Sequence, residues 1–118
     1  MNGISAEEWE LISAFEVNPT YLDADERWPH ADALFRIEKG EIALSFAVAP
    51  AVRNVRIVLN VAGAAVYELN AMSVLDVRYR KDGPHESVLV VLSETETVTV
   101  SVKPRIRVNH EFASDVGD

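Results

Sequence analysis

Apolar residues recur at two different spacings along this chain, and the spacing changes once, near Pro29. Before it, Trp9, Ile12 and Phe15, with Leu11 beside them, fall three to four apart. That is the stripe one face of a helix presents to a core. Glu7, Glu8 and Glu10 are mostly left for the outer side, where acids in a first turn also suit the helix dipole. Ser5 and Glu8 form S-x-x-E, a capping box in which each side chain serves an exposed backbone N–H of the first turn. The pattern predicts a helix over about residues 5–17. Asn18-Pro19 ends it, because the residue before a proline is pushed out of the α region.

After Pro29 the period is two. Ile42, Leu44, Phe46 and Val48 alternate with small or polar residues, and the preceding ALFRIE joins them through Lys39-Gly40, which reads as a hairpin. Val55, Ile57, Leu59 and Val61 repeat the alternation, Gly63 punctuates it, and a short strand follows around residues 65–69. Leu75, Val77 and Tyr79 then share one face of a segment that stops at Asp82-Gly83-Pro84, a turn signal. SVLVVLS is nearly all apolar, as a central strand covered on both faces would be. A turn at residues 94–96 leads into TVTVSVK. Pro104 has no N–H for a ladder, so RIRVN is an edge strand or continues past a bulge.

The fold these elements predict is mainly β with one N-terminal helix: an antiparallel β-sandwich or strongly bent sheet of about eight strands, partly covered by the helix. A single domain over residues 1–112 is expected, with residues 113–118 as a disordered tail. At 118 residues the chain is long enough to bury a core without staples. It has no cysteine, which removes disulfides, thiolate metal sites and a cysteine nucleophile. No apolar run is long enough to span a bilayer, and acids stand where a secretory signal carries Lys or Arg, so a cytoplasmic location is expected.

Charge alters the picture more than composition does. The formal net charge is −8, which argues against a nucleic-acid ligand, since binding to phosphate backbones rests on cationic contacts. Residues 1–41 hold ten acids against three bases, so all but one unit of the excess sits in the first third. A basic partner would be steered there, although acids also serve simply to keep a small domain soluble.

Catalytic and metal motifs are sparse. His30, His85 and His110 lack the spacing of a helical metal motif, and His30-Ala31-Asp32 offers two ligands without a visible third. Asp23-x-Asp25 opens like a calcium loop but lacks the Gly and the terminal Glu at their offsets. No serine stands in G-x-S-x-G, and no Gly-rich loop joins a strand to a helix to cradle phosphate. Paired carboxylates for glycoside hydrolysis depend on separation in space, and short strands with tight turns leave few long loops to build a cleft. No metal, cofactor or catalytic residue is therefore expected.

The stretch PTYLDADERWPHADALFRI, residues 19–37, packs carboxylates around two aromatics between prolines. Tyr21 and Trp28 offer large contact area at low entropic cost, and Asp23, Asp25, Glu26 and Asp32 can meet a partner's Arg or Lys. These six are the candidate partner-binding residues. Against that, a Trp in a small domain is more often a packing residue than a hot spot, and Trp28 leans that way while the carboxylates stay exposed on either reading.

The order Asn18-Pro19, a loop ending in Trp28-Pro29-x-x-Asp32, then Leu34-x-x-Ile37, a Gly turn and a strand ending in Leu44-x-Phe46 resembles an immunity-protein family of bacterial polymorphic toxin systems. NVRIVLNVAGAAVYELN and TVTVSVKPRIRVN look like its following strands, so the resemblance covers roughly residues 18–110. It implies a non-enzymatic inhibitor of a cognate toxin domain encoded at a neighbouring locus. Many such toxins are basic nucleases, whose substrate cleft an acidic protein can mask. A monomer or weak dimer without membrane contact is expected. Two other readings stay open: a β-rich adaptor or assembly subunit with a free sheet edge, and a small enzyme or ligand-binding domain with a closed pocket.

Overall fold

Turns explain most of the topology. The computed structural model describes residues 4–23 and 25–113, and within them a helix, α1 (Glu8–Phe15), precedes nine strands. Strands β2 (Ala33–Lys39) and β3 (Ile42–Ala49) are joined through Gly40 at φ +62°, in register with Phe35 opposite Phe46. Strands β4 (Asn54–Val61) and β5 (Ala64–Ala71) turn through Ala62-Gly63, both at positive φ, the conformation of a type I′ hairpin whose twist matches that of the strands. Strands β6 (Asp76–Asp82) and β7 (His85–Val91) turn at Gly83-Pro84. Strands β8 (Glu96–Ser101) and β9 (Arg107–Phe112) complete the chain, and a two-residue strand, β1 (Thr20–Tyr21), pairs with β2.

All pairings are antiparallel and fall into two sheets, β1-β2-β3-β4-β5 and β6-β7-β8-β9. The sandwich expected from the alternation is thus present, with one strand more than the sequence suggests. Inward positions of the first sheet are Phe35, Ile37, Leu44, Phe46, Val55 and Ile57; those of the second are Val77, Val88, Val90, Val98 and Val100, all buried in one cluster. Phe46, expected in the core, is fully buried, and Leu59 only partly. Pro104 lies between β8 and the edge strand β9, where no ladder hydrogen bond is asked of it. β7 is central as expected, but only one of its faces is fully buried.

The helix differs from the sequence reading at both ends. Its N-cap is Glu7, in a capping box with Glu10, and Glu16 closes it in a left-handed conformation with its N–H donating to the Ile12 carbonyl. Ser5 is engaged elsewhere. Its Oγ and N–H both donate to the Asp76 carboxylate, at 2.5 and 2.7 Å, tying the N-terminal segment to β6. Burial pushes the Asp76 carboxyl up, yet the hydrogen bonds from Ser5, Arg78 and Val77 outweigh it and leave the group below the usual range. The buried stripe is Leu11, Ala14 and Phe15, and Trp9 is 65% exposed, so the helix is rotated from the stripe read through Trp9. Phe15 reaches between the sheets to ring centroids 5.2 Å from Phe35 and 5.0 Å from Phe46, plugging one side of the sandwich.

The expected tail, apart from Ala113, lies outside the described residues.

Candidate functional site

The acidic segment folds as a closed loop between β1 and β2. The Leu22 N–H donates to the Asp32 carbonyl at its base, the Glu26 N–H to the Asp23 carbonyl and the His30 N–H to the Arg27 carbonyl. Asp23 Oδ1 accepts the Asp25 N–H at 2.9 Å, an Asx turn that explains an aspartate at this position. The loop's shape therefore comes from its own backbone and one carboxylate.

The six candidate residues divide here. Tyr21 and Trp28 are half-buried and pack against the core, and the Arg27 guanidinium lies 5.6 Å from the centre of the Tyr21 ring, within cation–π range. The Tyr21 hydroxyl is buried without a partner among the described residues. Asp23, Asp25, Glu26 and Asp32 are exposed, and none enters an ion pair among the described residues. The aromatics fasten the loop to the sandwich and the carboxylates face water. Four of the six other acids of the first third are already committed: Glu7 and Glu10 to the capping box, Glu16 to Lys103 at 3.5 Å, Glu38 to Arg36 at 3.6 Å.

Beside the loop, the outer face of the five-stranded sheet carries an open groove of about 450 Å³ that the sequence reading missed. Its floor is one rung of the sheet, on which Thr20, Leu34, Ala47 and Arg56 stand side by side across β1 to β4. Leu22, 82% exposed, and Asp32 also line it. A smaller depression of about 160 Å³ shares Asp32, Ala47 and Arg56 and runs on toward Ala49 and Asn54. Several strands and a loop contribute, so no local pattern could have announced it.

Two further polar clusters join parts of the fold. Glu86, buried on β7, accepts from Ser13 Oγ and Tyr79 Oη at 2.6 Å each and from Lys103 Nζ at 2.8 Å. The Lys103 bond, followed by those from Ser13 and Tyr79, brings the Glu86 carboxyl down to about 2. By sequence Glu86 looks like a surface charge beside Asp82; it is instead the acceptor that fastens α1 to the four-stranded sheet. At the opposite side of the sandwich, Tyr67 on β5 bonds His110 Nδ1 on β9 at 2.9 Å, and His110 Nε2 bonds Glu96 at 2.7 Å. The three groups satisfy one another and bridge the two sheets, with Phe112 stacked on the imidazole at 5.0 Å. Burial, followed by the Glu96 charge, pushes the Tyr67 hydroxyl up. His30 and His85 are exposed, and the described residues contain no group of three or more His, Cys, Asp or Glu positioned to hold a metal ion.

No protein-family model matches the chain, and no curated protein matches it in sequence. Among solved structures, it is similar to a chain of the contact-dependent growth inhibition toxin–immunity protein complex from Klebsiella pneumoniae 342. The TM-score is 0.77 at 13% identity, covering 93% of this chain and 96% of the other. At that identity the likeness is one of fold, and it extends over nearly the whole of both chains.

Proposed function

We propose that this chain is an immunity protein: a non-enzymatic inhibitor that binds a cognate toxin domain and neutralises it. The observation that carries the reading is the fold likeness, over 93% of the chain, to a member of a toxin–immunity complex. The charge supports the inhibitor's side of such a pair. A nuclease toxin needs a cationic cleft to hold phosphates, and a chain of net charge −8 is attracted to that cleft and repels the nucleic acid competing for it.

The binding surface in this reading is the loop after β1. Asp23, Asp25, Glu26 and Asp32 present exposed carboxylates that enter no ion pair among the described residues, so they steer a basic partner and accept its Lys and Arg donors. Tyr21 and Trp28 contribute by holding the loop against the core, so little conformational entropy is lost when the toxin docks. Inhibition follows from occupying the cleft or from holding the toxin inactive from an adjacent surface. Such an inhibitor works in the cytoplasm, where a nuclease meets its substrate.

The test is protection. Expression of the toxin domain encoded at the neighbouring locus should arrest growth of a bacterial host, co-expression of this chain should restore it, and the two should co-elute as a stable complex. Arrest without rescue, and no complex between the purified proteins, would remove the reading.

A further inference from the structure

We infer that the groove on the outer face of the five-stranded sheet is the second half of the docking surface, and that it receives a Lys or Arg side chain from the toxin. The inference rests on the immunity reading and adds a place and a chemistry that the loop alone does not supply. Ala47 makes the dip: it stands on its rung between Leu34 and Arg56, and its small side chain leaves the space those two enclose. The remaining wall is Leu22, at 82% exposure the most open of the large apolar side chains among the described residues. A leucine held in water between carboxylates on a loop with its own closing hydrogen bonds contributes nothing to the core, but it is suited to cover an aliphatic stem.

The sign of the occupant follows from the balance of charge around the groove, where Asp32 on its wall and Asp23, Asp25 and Glu26 on the same loop outnumber Arg56 and Arg27 four to two. A basic side chain laid along Leu34 and Ala47 under Leu22 buries its methylenes and brings its cationic end to Asp32. Arg56, exposed on the other wall, is left to bind a carboxylate or carbonyl of the same toxin segment by donating to it. At about 450 Å³ the groove is at the small end of ligand sites, which run from about 300 to 1,000 Å³. It is also open along its length, which suits a side chain presented by a protein surface rather than an enclosed metabolite.

Filling the groove is the experiment. Ala47→Trp occupies it from an outer-face position with open space above, and Leu22→Asn removes the apolar wall without adding charge, at a residue too exposed to matter for folding. Thr99→Trp, on the outer face of the other sheet, is the reference. With the catalytically inactivated toxin domain as the probe, Ala47→Trp and Leu22→Asn should each raise Kd about 30-fold or more, the signature of a hot spot. Thr99→Trp should stay within about twofold of the parent. Should Ala47→Trp fail to fold, Leu22→Asn decides alone. Parent-like binding by both groove variants while the parent protects cells overturns the groove and leaves the immunity reading intact. A parent chain that neither binds nor protects overturns both.

Discussion

Glu86 and the carboxylates of the loop after β1 are the same chemistry in opposite settings. Glu86 is buried at the junction of α1 and the four-stranded sheet, with three donors converging on its two oxygens. Asp25, Glu26 and Asp32 stand in water on a loop whose shape needs none of their side chains; only Asp23 spends an oxygen on the backbone. A carboxylate surrounded by donors stabilises the fold and is unavailable to a partner, whereas one left in water contributes almost nothing to stability and keeps its charge for recognition. The chain separates the two uses in space, so changes in one region should leave the other's property untouched.

The largest effect should come from breaking the buried side of that contrast. Glu86→Ala takes the shared acceptor from the Ser13 and Tyr79 hydroxyls and leaves the Lys103 ammonium with Glu16 alone, and should cost about 3 kcal/mol by urea denaturation. Reversing Asp25, Glu26 and Asp32 to Lys should change the same stability by less than about 0.5 kcal/mol. A loss under about 1 kcal/mol for Glu86→Ala would erase the distinction.

Acid titration is next in size. The folded carboxyl of Glu86, at about 2, is below its ordinary value of 4.5, so its contribution is fully present above about pH 4.5 and is lost as pH falls toward 2. The parent should lose up to about 3 kcal/mol across that window relative to Glu86→Ala. Parallel pH profiles for the two proteins would show that the three hydrogen bonds do not depress the group.

Asp76 is an intermediate case that sharpens the comparison, since it is only half-buried yet accepts from Ser5, Arg78 and Val77. Ser5→Ala should cost about 1 kcal/mol. The loss should largely vanish in an Asp76→Ala background, because the partner of Ser5 is that side chain. A double-mutant cycle with no coupling would instead return Ser5 to the role of a helix cap.

Much of the sandwich can be read from the sequence because its signals are local. Alternation from Ile42 to Val48 and from Val55 to Val61 sets the inward faces, and Gly40, Gly63 and Gly83 mark positive-φ turns. The helical stripe reads correctly at Leu11, Ile12 and Phe15 and fails at Trp9, which outweighs Ala14 in any hydrophobic tally, while tertiary packing has room for the alanine and leaves the tryptophan outside. Glu86 looks like a turn charge because its three partners come from positions 13, 79 and 103, on separate segments. The candidate loop is legible as a unit, since its prolines and carboxylates are contiguous. The division of labour within it, and the groove built on Leu34, Ala47 and Arg56, emerge only once β2, β3 and β4 are side by side.

The most direct measurement of the central claim is the association rate with the toxin domain for the parent and for the variant carrying Asp25→Lys, Glu26→Lys and Asp32→Lys, each at low and high salt. The parent should associate fast at low salt and slow steeply as salt rises, while the variant associates about tenfold or more slowly with a flatter salt dependence. Equal rates with the same salt dependence would contradict the account and make the loop a solvated connection between two strands.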